Sequence, residues 1–533
     1  MRKRKAVRAT AAALAAMMVL TACGGGGGNG TTAAAGGDTG STTAAGGDAA
    51  ASGEVGKTDI IFAMGSDIVT LDPAGQQDTT TSVAIKHIYS TLLDIDDDGN
   101  LVPDLAESYE LVSDTDFVFK LREDAVWSDG TPVTANDVKF TFDRAKNMPK
   151  TKSNTSKVKE VIVDDEHQVT IKLTEAYAPF KSIVANSNLS IVQEAAVTAA
   201  GDAYGDASNV IGSGPFKITE WAPNDHWTLT KNENYWDEEP VATTLTCRII
   251  PEGSARAIAL ETGEVDLVWA VDPTDCSNME ANSDVKLLTQ PSSSIEYLGM
   301  NVTKEHFKDE RVRQAINYAI DKQSLVDTIV EGRGVVANSY INNTIPGWTD
   351  EVEAYPYDPE KAKALLAEAG YPDGFACELW VNGDVRTRAA QMVQAQLAEV
   401  GITVEISTLE WGAFLDALNA GEHEMFILGW SNSTFDADGS TYQLFHSSNH
   451  GATGNRAFMT DATVDELITK AAQENDDAKR MEYYKELQLY LHDLSPWCPF
   501  YYKNNNVGIR ADLQGFKLHK GANHYLGNCH YTK

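Results

Sequence analysis

The residues able to do chemistry in this chain are scattered, and their spacing excludes more than it supports. Asp94-Ile-Asp96-Asp-Asp98-Gly99 places hard oxygen ligands at the first, third and fifth positions of a calcium loop, with glycine at the sixth. The twelfth position, which must supply a bidentate glutamate, is Leu105, so the stretch reads as an acidic hairpin turn around Asp98-Gly99-Asn100. His446 and His450 are four residues apart, and His519, His524 and His530 lie near Cys529. Without a stronger ligand pattern these read as surface histidines, and no metal or cofactor is expected. Gly53-Glu-Val-Gly56-Lys57-Thr58 fails as a phosphate loop because residue 51 is alanine. There is no HExxH, the folded body has no GxSxG, and no nucleophile and base stand at a telling spacing. The expectation is binding and not catalysis.

The residues best suited to binding are two tryptophans. Trp411 lies in Glu410-Trp-Gly412 and Trp430 in Leu428-Gly-Trp-Ser-Asn-Ser-Thr-Phe435. Each follows a run of strand character, Val404 to Leu409 and Met425 to Leu428. Aromatic faces at strand ends can wall a small-molecule cleft, which is mostly apolar with a few polar anchors.

Elements able to position such walls are legible. Phe117, Phe119 and Leu121, and after a turn at Asp164-Asp165-Glu166 also Val169, Ile171 and Leu173, alternate as half-buried strands do. Asp309 suits a helix N-cap, followed by an apolar stripe of Val312, Ala315, Ile316, Ala319 and Ile320. Asp358-Pro359 opens another helix with Ala362, Leu365, Leu366 and Ala369 on one face and Gly370 as its stop. Tyr484, Leu487, Leu491 and Leu494 make a third stripe. Mixed elements without a fixed repeat predict α/β lobes, and the length suggests about two to four structural units.

The formal charge of −34 argues against nucleic acid as a partner, since phosphate binding needs basic surface. The N-terminus carries an address. Basic residues from Arg2 to Arg8 precede an apolar run too short to span a membrane, so residues 1–22 read as an export signal. The run ends in Leu20-Thr21-Ala22-Cys23, which resembles the lipobox of bacterial lipoproteins and would make Cys23 the lipid-bearing first mature residue. Residues 23–56, nearly all Gly, Ala, Thr, Ser and Asp, read as a flexible tether, with the folded body starting near Thr58. Five further cysteines (Cys247, Cys276, Cys377, Cys498 and Cys529) cannot all pair. Export permits one or two disulfides among them without selecting a pairing.

Matches spread along the folded body then converge: Leu71-Asp-Pro73, Leu101 to Ser108, Lys120 to Gly130, Asn136 to Phe140, Gly212 to Phe216, Asn234-Tyr-Trp236, Val312 to Ile316 and Tyr357 to Leu366. In this order, the chain resembles the family 5 extracellular solute-binding proteins that serve ABC importers of peptides and nickel. The resemblance implies an α/β, two-lobed periplasmic-binding-protein fold (type II, large cluster C) with an extra inserted domain. It places lobe I at 57–97, 209–297 and 508–533, the extra domain at 98–208 and lobe II at 298–507. It also implies a hinge where the chain crosses between lobes, a permease partner, and a monomer tethered to the membrane by its lipid.

Glu410-Trp-Gly412, Gly421-Glu-His423 and Gly429-Trp430 are most similar to the dipeptide-binding branch. There an aspartate shortly after Gly-Trp meets the peptide's amino group and an upstream arginine its carboxylate. Here Ser433 takes the aspartate's place and Asn382-Gly-Asp-Val-Arg386 the arginine's region, with Asp436 and Arg386 as nearby substitutes. The implied site is Trp411, Gly429, Trp430, Ser431, Asn432, Ser433, Asp436 and Arg386 from lobe II, faced by Gly65, Ser66 and Asp67 from lobe I. The implied solute is a peptide not restricted to two residues, or else a nickel chelate, a glutathione-like molecule or another small solute. An exported hydrolase and a surface chaperone or adhesin are the readings from other classes.

Overall fold

The computed structural model describes residues 54–451 and 454–533. The export signal, the lipid site at Cys23 and the tether up to residue 53 lie outside the described residues. The folded body begins slightly earlier than Thr58. Val55 bridges Thr532, the Gly56 amide donates to the Tyr531 carbonyl at 2.6 Å, and Lys57 Nζ meets both oxygens of Asp266 at 2.8 and 2.9 Å. Local composition predicts a tether here, but Tyr531, Thr532 and Asp266, all distant in sequence, supply the partners that order it.

One large mixed sheet organises the fold. Across it the strands run Ile402–Thr408, Phe375–Val381, Met425–Ser431, Val285–Met300, Trp497–Arg510, Leu267–Val268, Asp59–Met64, Thr244–Ile249, His226–Lys231 and Phe216–Ala222, with Gly334–Val336 branching onto Trp497–Arg510. The two longest strands, Val285–Met300 and Trp497–Arg510, form an antiparallel ribbon shared by both halves. Near one end Trp497–Arg510 pairs with Leu267–Val268, and toward the other Val285–Met300 pairs with Met425–Ser431. Their register breaks between Pro291 and Ile295 and again between Glu296 and Tyr297. The first break lies at a proline that has no amide hydrogen to give the ladder. Beyond it the ribbon is stiffened by Tyr297 stacked on Trp497 with ring centroids 3.5 Å apart.

The expected elements form for the expected reasons. Asp309 caps Glu310–Ala319 by accepting from the Arg311 amide, with Val312, Ala315, Ile316 and Ala319 buried. Asp358 caps Pro359–Glu368, and Gly370 beyond it takes a positive φ of 94°. Tyr484, Leu487 and Leu491 form the buried face of Asp477–Leu494. A smaller four-stranded sheet is ordered Ala106–Ser113, Asp116–Leu121, Gln168–Leu173, Val158–Asp165. In it Phe117 opposes Ile171 and Phe119 opposes Val169, and Phe180 packs 5.2 Å from Phe117. The acidic turn is a hairpin between Leu93–Ile95 and Leu101–Pro103, closed by Asp96 accepting from the amides of Asp98 and Asn100.

The disulfides that export would permit are not formed. Cys247, Cys276, Cys377, Cys498 and Cys529 are all buried free thiols. They serve as small apolar side chains in three separate core clusters, and burial pushes the Cys377 and Cys529 thiols up to about 12.

Candidate functional site

A cleft of about 1440 Å³ opens beside the ribbon. One wall comes from Gln76 to Thr79, Lys86, the Asp94–Asp97 turn and the His519–Tyr525 segment. A second comes from the stretch between Glu175 and Asn188 next to the small sheet. The third is the end of strand Met425–Ser431 and the loop and helix beyond it, Trp430 to Thr434 and Asp438 to Arg456.

The loop after Trp430 is held by its own side chains. Trp430 Nε1 donates to the Gly439 carbonyl at 2.9 Å, which fixes the ring at the cleft edge. The Asn432 amide donates at 2.7 Å to both the Asp436 carbonyl and Ser440 Oγ, while its Oδ1 accepts from the Thr434 amide and hydroxyl. Asn432 therefore holds the turn with its side chain. Ser431 Oγ lies 2.7 Å from Ser294 Oγ on the ribbon, and Ser433 is exposed, with Asn186 Nδ2 donating to its hydroxyl at 3.4 Å. Trp430, Ser431, Asn432 and Ser433 all line the cleft.

The other expected residues have different places. Asp436 is buried in a two-pronged ion pair with Arg480 at 2.7 and 2.5 Å. Arg386 gives its Nε to Glu296 Oε1 at 2.5 Å, beside Gly429. A Cβ on Gly429 would stand 2.5 Å from Glu296 Oε2 and 3.3 Å from an Arg386 amino nitrogen, so a side chain here would push the pair from its place over the strand. Trp411 begins helix Trp411–Ala420 and remains 46% exposed, its ring 6.1 Å from Phe414. Asp67 accepts from Trp221 Nε1 and from the Asn224 amide, tying its own loop to the neighbouring hairpin. Ser66 pairs with Thr80, and Gly65 lies against the Arg256 guanidinium. None of Gly65, Ser66, Asp67, Arg386, Trp411, Gly429 or Asp436 lines the cleft.

The residues that sequence reasoning missed are Asp438 and Tyr177. Asp438 lines the cleft, is buried, and accepts from the Tyr177 hydroxyl at 2.8 Å. Burial, with Asp436 adding, pushes its carboxyl up to about 7, and burial raises the Tyr177 phenol. Three further contacts cross the same interface: the Ala178 amide to the Ala472 carbonyl at 2.8 Å, Lys181 to Asp477 at 3.0 Å, and Asn186 to Ser433. Residues 261 apart share no local pattern, so nothing near Tyr177 could have flagged this pairing.

Of the histidines expected at the surface, His450 is exposed and His446 and His530 are partly so, whereas His519 and His524 are buried in the cleft wall together with His87. His524 Nδ1 accepts from the His519 amide at 2.8 Å, and His87 Nε2 accepts from the Leu526 amide at 3.1 Å. Burial pushes His87 down to about 4 and His524 to about 3, so both are neutral acceptors at physiological pH.

The fold and sequence have clear relatives. Residues 100–452 match the family described as bacterial extracellular solute-binding proteins, family 5 (middle). The glutathione-binding protein GsiB of Shigella dysenteriae is 32% identical over 471 residues, 86% of this chain and 91% of that protein. The dipeptide-binding protein of Escherichia coli K12 is 31% identical over 459 residues, 80% of this chain and 86% of that protein. Among solved structures, the ABC transporter-associated periplasmic binding protein DppA from Helicobacter pylori, in complex with peptide STSA, superposes with a TM-score of 0.79 at 27% identity. It covers 89% of this chain and 98% of its own. The fold is thus the two-lobed type II fold of periplasmic peptide-binding proteins.

Proposed function

We propose that this chain, which belongs to the bacterial extracellular solute-binding proteins of family 5, captures a peptide in the cleft beside Trp430 and hands it to an ABC importer. The observation that carries this reading is the cleft itself. At about 1440 Å³ it exceeds the roughly 300–1,000 Å³ of sites for drug-sized molecules, so it has room for a peptide of several residues. Trp430 offers an apolar face. Ser431 and Ser433 offer hydroxyls at the rim, where an extended peptide needs hydrogen-bond partners along its length.

Capture works by closure. A solute that touches both lobes binds the closed form better than the open one, and only that difference can shift the equilibrium. The register break at Pro291–Ile295 is our candidate hinge. We divide the chain as the sequence suggests, with lobe I at 57–97, 209–297 and 508–533, the inserted domain at 98–208 and lobe II at 298–507. No bond is made or broken in this scheme. A lipid on Cys23 would keep the monomer at the membrane and raise its concentration near the permease.

A second reading, a glutathione-like solute, is favoured by the 32% identity to the glutathione-binding protein GsiB over 86% of this chain. Serine at 433, where dipeptide recognition places an aspartate, leaves the position of the solute's amino group less strictly fixed. Isothermal titration calorimetry with tri- to pentapeptides and with glutathione separates the two. Binding of the peptides and not glutathione supports the first reading, and the reverse supports the second. Heat from neither would overturn both.

A further inference from the structure

The buried and half-buried arginines of the described residues follow a rule. Arg144 meets Asp72, Arg386 meets Glu296 and Arg480 meets Asp436. Arg313 spends its donors on the carbonyls of Leu494, Phe307 and Lys308, and Arg256 gives one terminal nitrogen to the carbonyls of Ile250 and Pro251 and holds the other 3.9 Å from Asp272. Each guanidinium is thus repaid for leaving water by a carboxylate or by several carbonyls.

Arg456 breaks the rule, and it does so on the wall of the cleft. Its Nε donates to Asn419 Oδ1 at 3.2 Å. Among the described residues its terminal nitrogens have no hydrogen-bond partner and it has no ion-pair partner. Burial lowers its affinity for a proton, and the Tyr297 phenol offsets this only in part. The residue is not loosely placed. Its carbonyl accepts from His423 Nε2 at 2.8 Å, and its amide donates to the Gly454 carbonyl at 2.8 Å. Next to it, fully buried Asn455 donates to the carbonyls of Phe445, His446 and Met459. A fixed, half-buried cation without its counter-charge, on the wall of a solute cleft, is a site waiting for an anion. The surrounding chain is strongly acidic, so an anion would find little attraction elsewhere on it.

We infer that Arg456 is an anion subsite of the cleft and takes a carboxylate of the captured solute. For a peptide this is the terminal carboxylate, bound by the two terminal amino groups of the guanidinium while Nε stays on Asn419. The inference rests on the proposed function, and the test separates them. Native mass spectrometry would compare two mixed libraries of tri- to pentapeptides, one with free C-terminal acids and one with C-terminal amides. The parent protein should favour the acids by about 10-fold or more, the usual weight of a charge-assisted pair. Arg456→Gln should bind both libraries alike, while Arg456→Lys, which keeps the charge, should recover part of the preference. Unchanged thermal unfolding of the variants would show that the fold is intact. Equal binding of acids and amides by the parent, or a preference that survives in Arg456→Gln, would overturn the anion subsite and leave the cleft reading standing. No bound mass from either library would overturn the peptide reading, and with it the terminal-carboxylate role of Arg456.

Discussion

Trp411 and Trp430 carry the same local signal, an aromatic ring just after an apolar strand, yet the fold treats them differently. Trp430 ends a strand flanked on both sides, by Val285–Met300 and by Phe375–Val381. That strand end opens beside the crossing ribbon, and the ring is tied to Gly439 and lines the cleft. Trp411 follows Ile402–Thr408, the edge strand of the large sheet, and nearly half of its surface remains in water. Position in the sheet therefore decides which ring walls a cleft. Sheet order is a long-range property, and strand periodicity carries no record of it.

A similar contrast holds for the charges beside Trp430, and the largest expected effect lies there. Asp436 and Arg480 satisfy one another in the core, so Arg480→Met should destabilise the protein by about 3–5 kcal/mol by stranding a buried carboxylate. Chemical denaturation would measure this, and a loss of peptide affinity at unchanged stability would instead move the pair into the site. Next in size is the effect at Trp430. Trp430→Ala should weaken peptide binding by about 1–3 kcal/mol in calorimetry, with little change in fold.

A smaller effect should follow pH. The Asp438 carboxyl, raised in the fold to about 7 from an ordinary 3.8, keeps its proton in the folded state across that window while the unfolded chain has lost it. The folded state then binds more protons, so this group's contribution to stability is complete below pH 4 and declines as pH rises to 7. Asp438→Asn retains an acceptor for Tyr177 and has no proton to lose. Its melting temperature should therefore gain on the parent's between pH 4 and pH 8; a constant difference would show that Asp438 is not raised. The smallest effect is expected at Trp411. Trp411→Ala should change peptide affinity by no more than about 0.5 kcal/mol, as exposed substitutions away from special features do. A loss equal to that of Trp430→Ala would erase the distinction between the two rings.

Much of the fold could be read from the chain because its signals are local. Asp309 and Asp358 announce helix starts, and Phe117-Val-Phe119 alternates as its strand requires. The turn at Asp96 to Asn100 is likewise written in adjacent residues. Of the expected site, the contiguous run Trp430 to Ser433 lines the cleft. The remainder depended on pairings at a distance. Nothing near Asp436 in sequence shows that Arg480 neutralises it, and nothing near Arg386 shows that Glu296 does. Asp438, two residues beyond Asp436, lines the cleft instead, because it lies on helix Asp438–Phe445. The cysteines show the same limit, since spacing cannot say that five thiols will be divided among separate cores.

The most direct test of the central claim is a crystal structure of the protein as purified, with any solute it retains, or after soaking with a peptide that binds. The account predicts solute density against the Trp430 ring and the Ser433 hydroxyl, inside the cleft. Density lying against Trp411 and Arg386, with the space beside Trp430 empty, would contradict it.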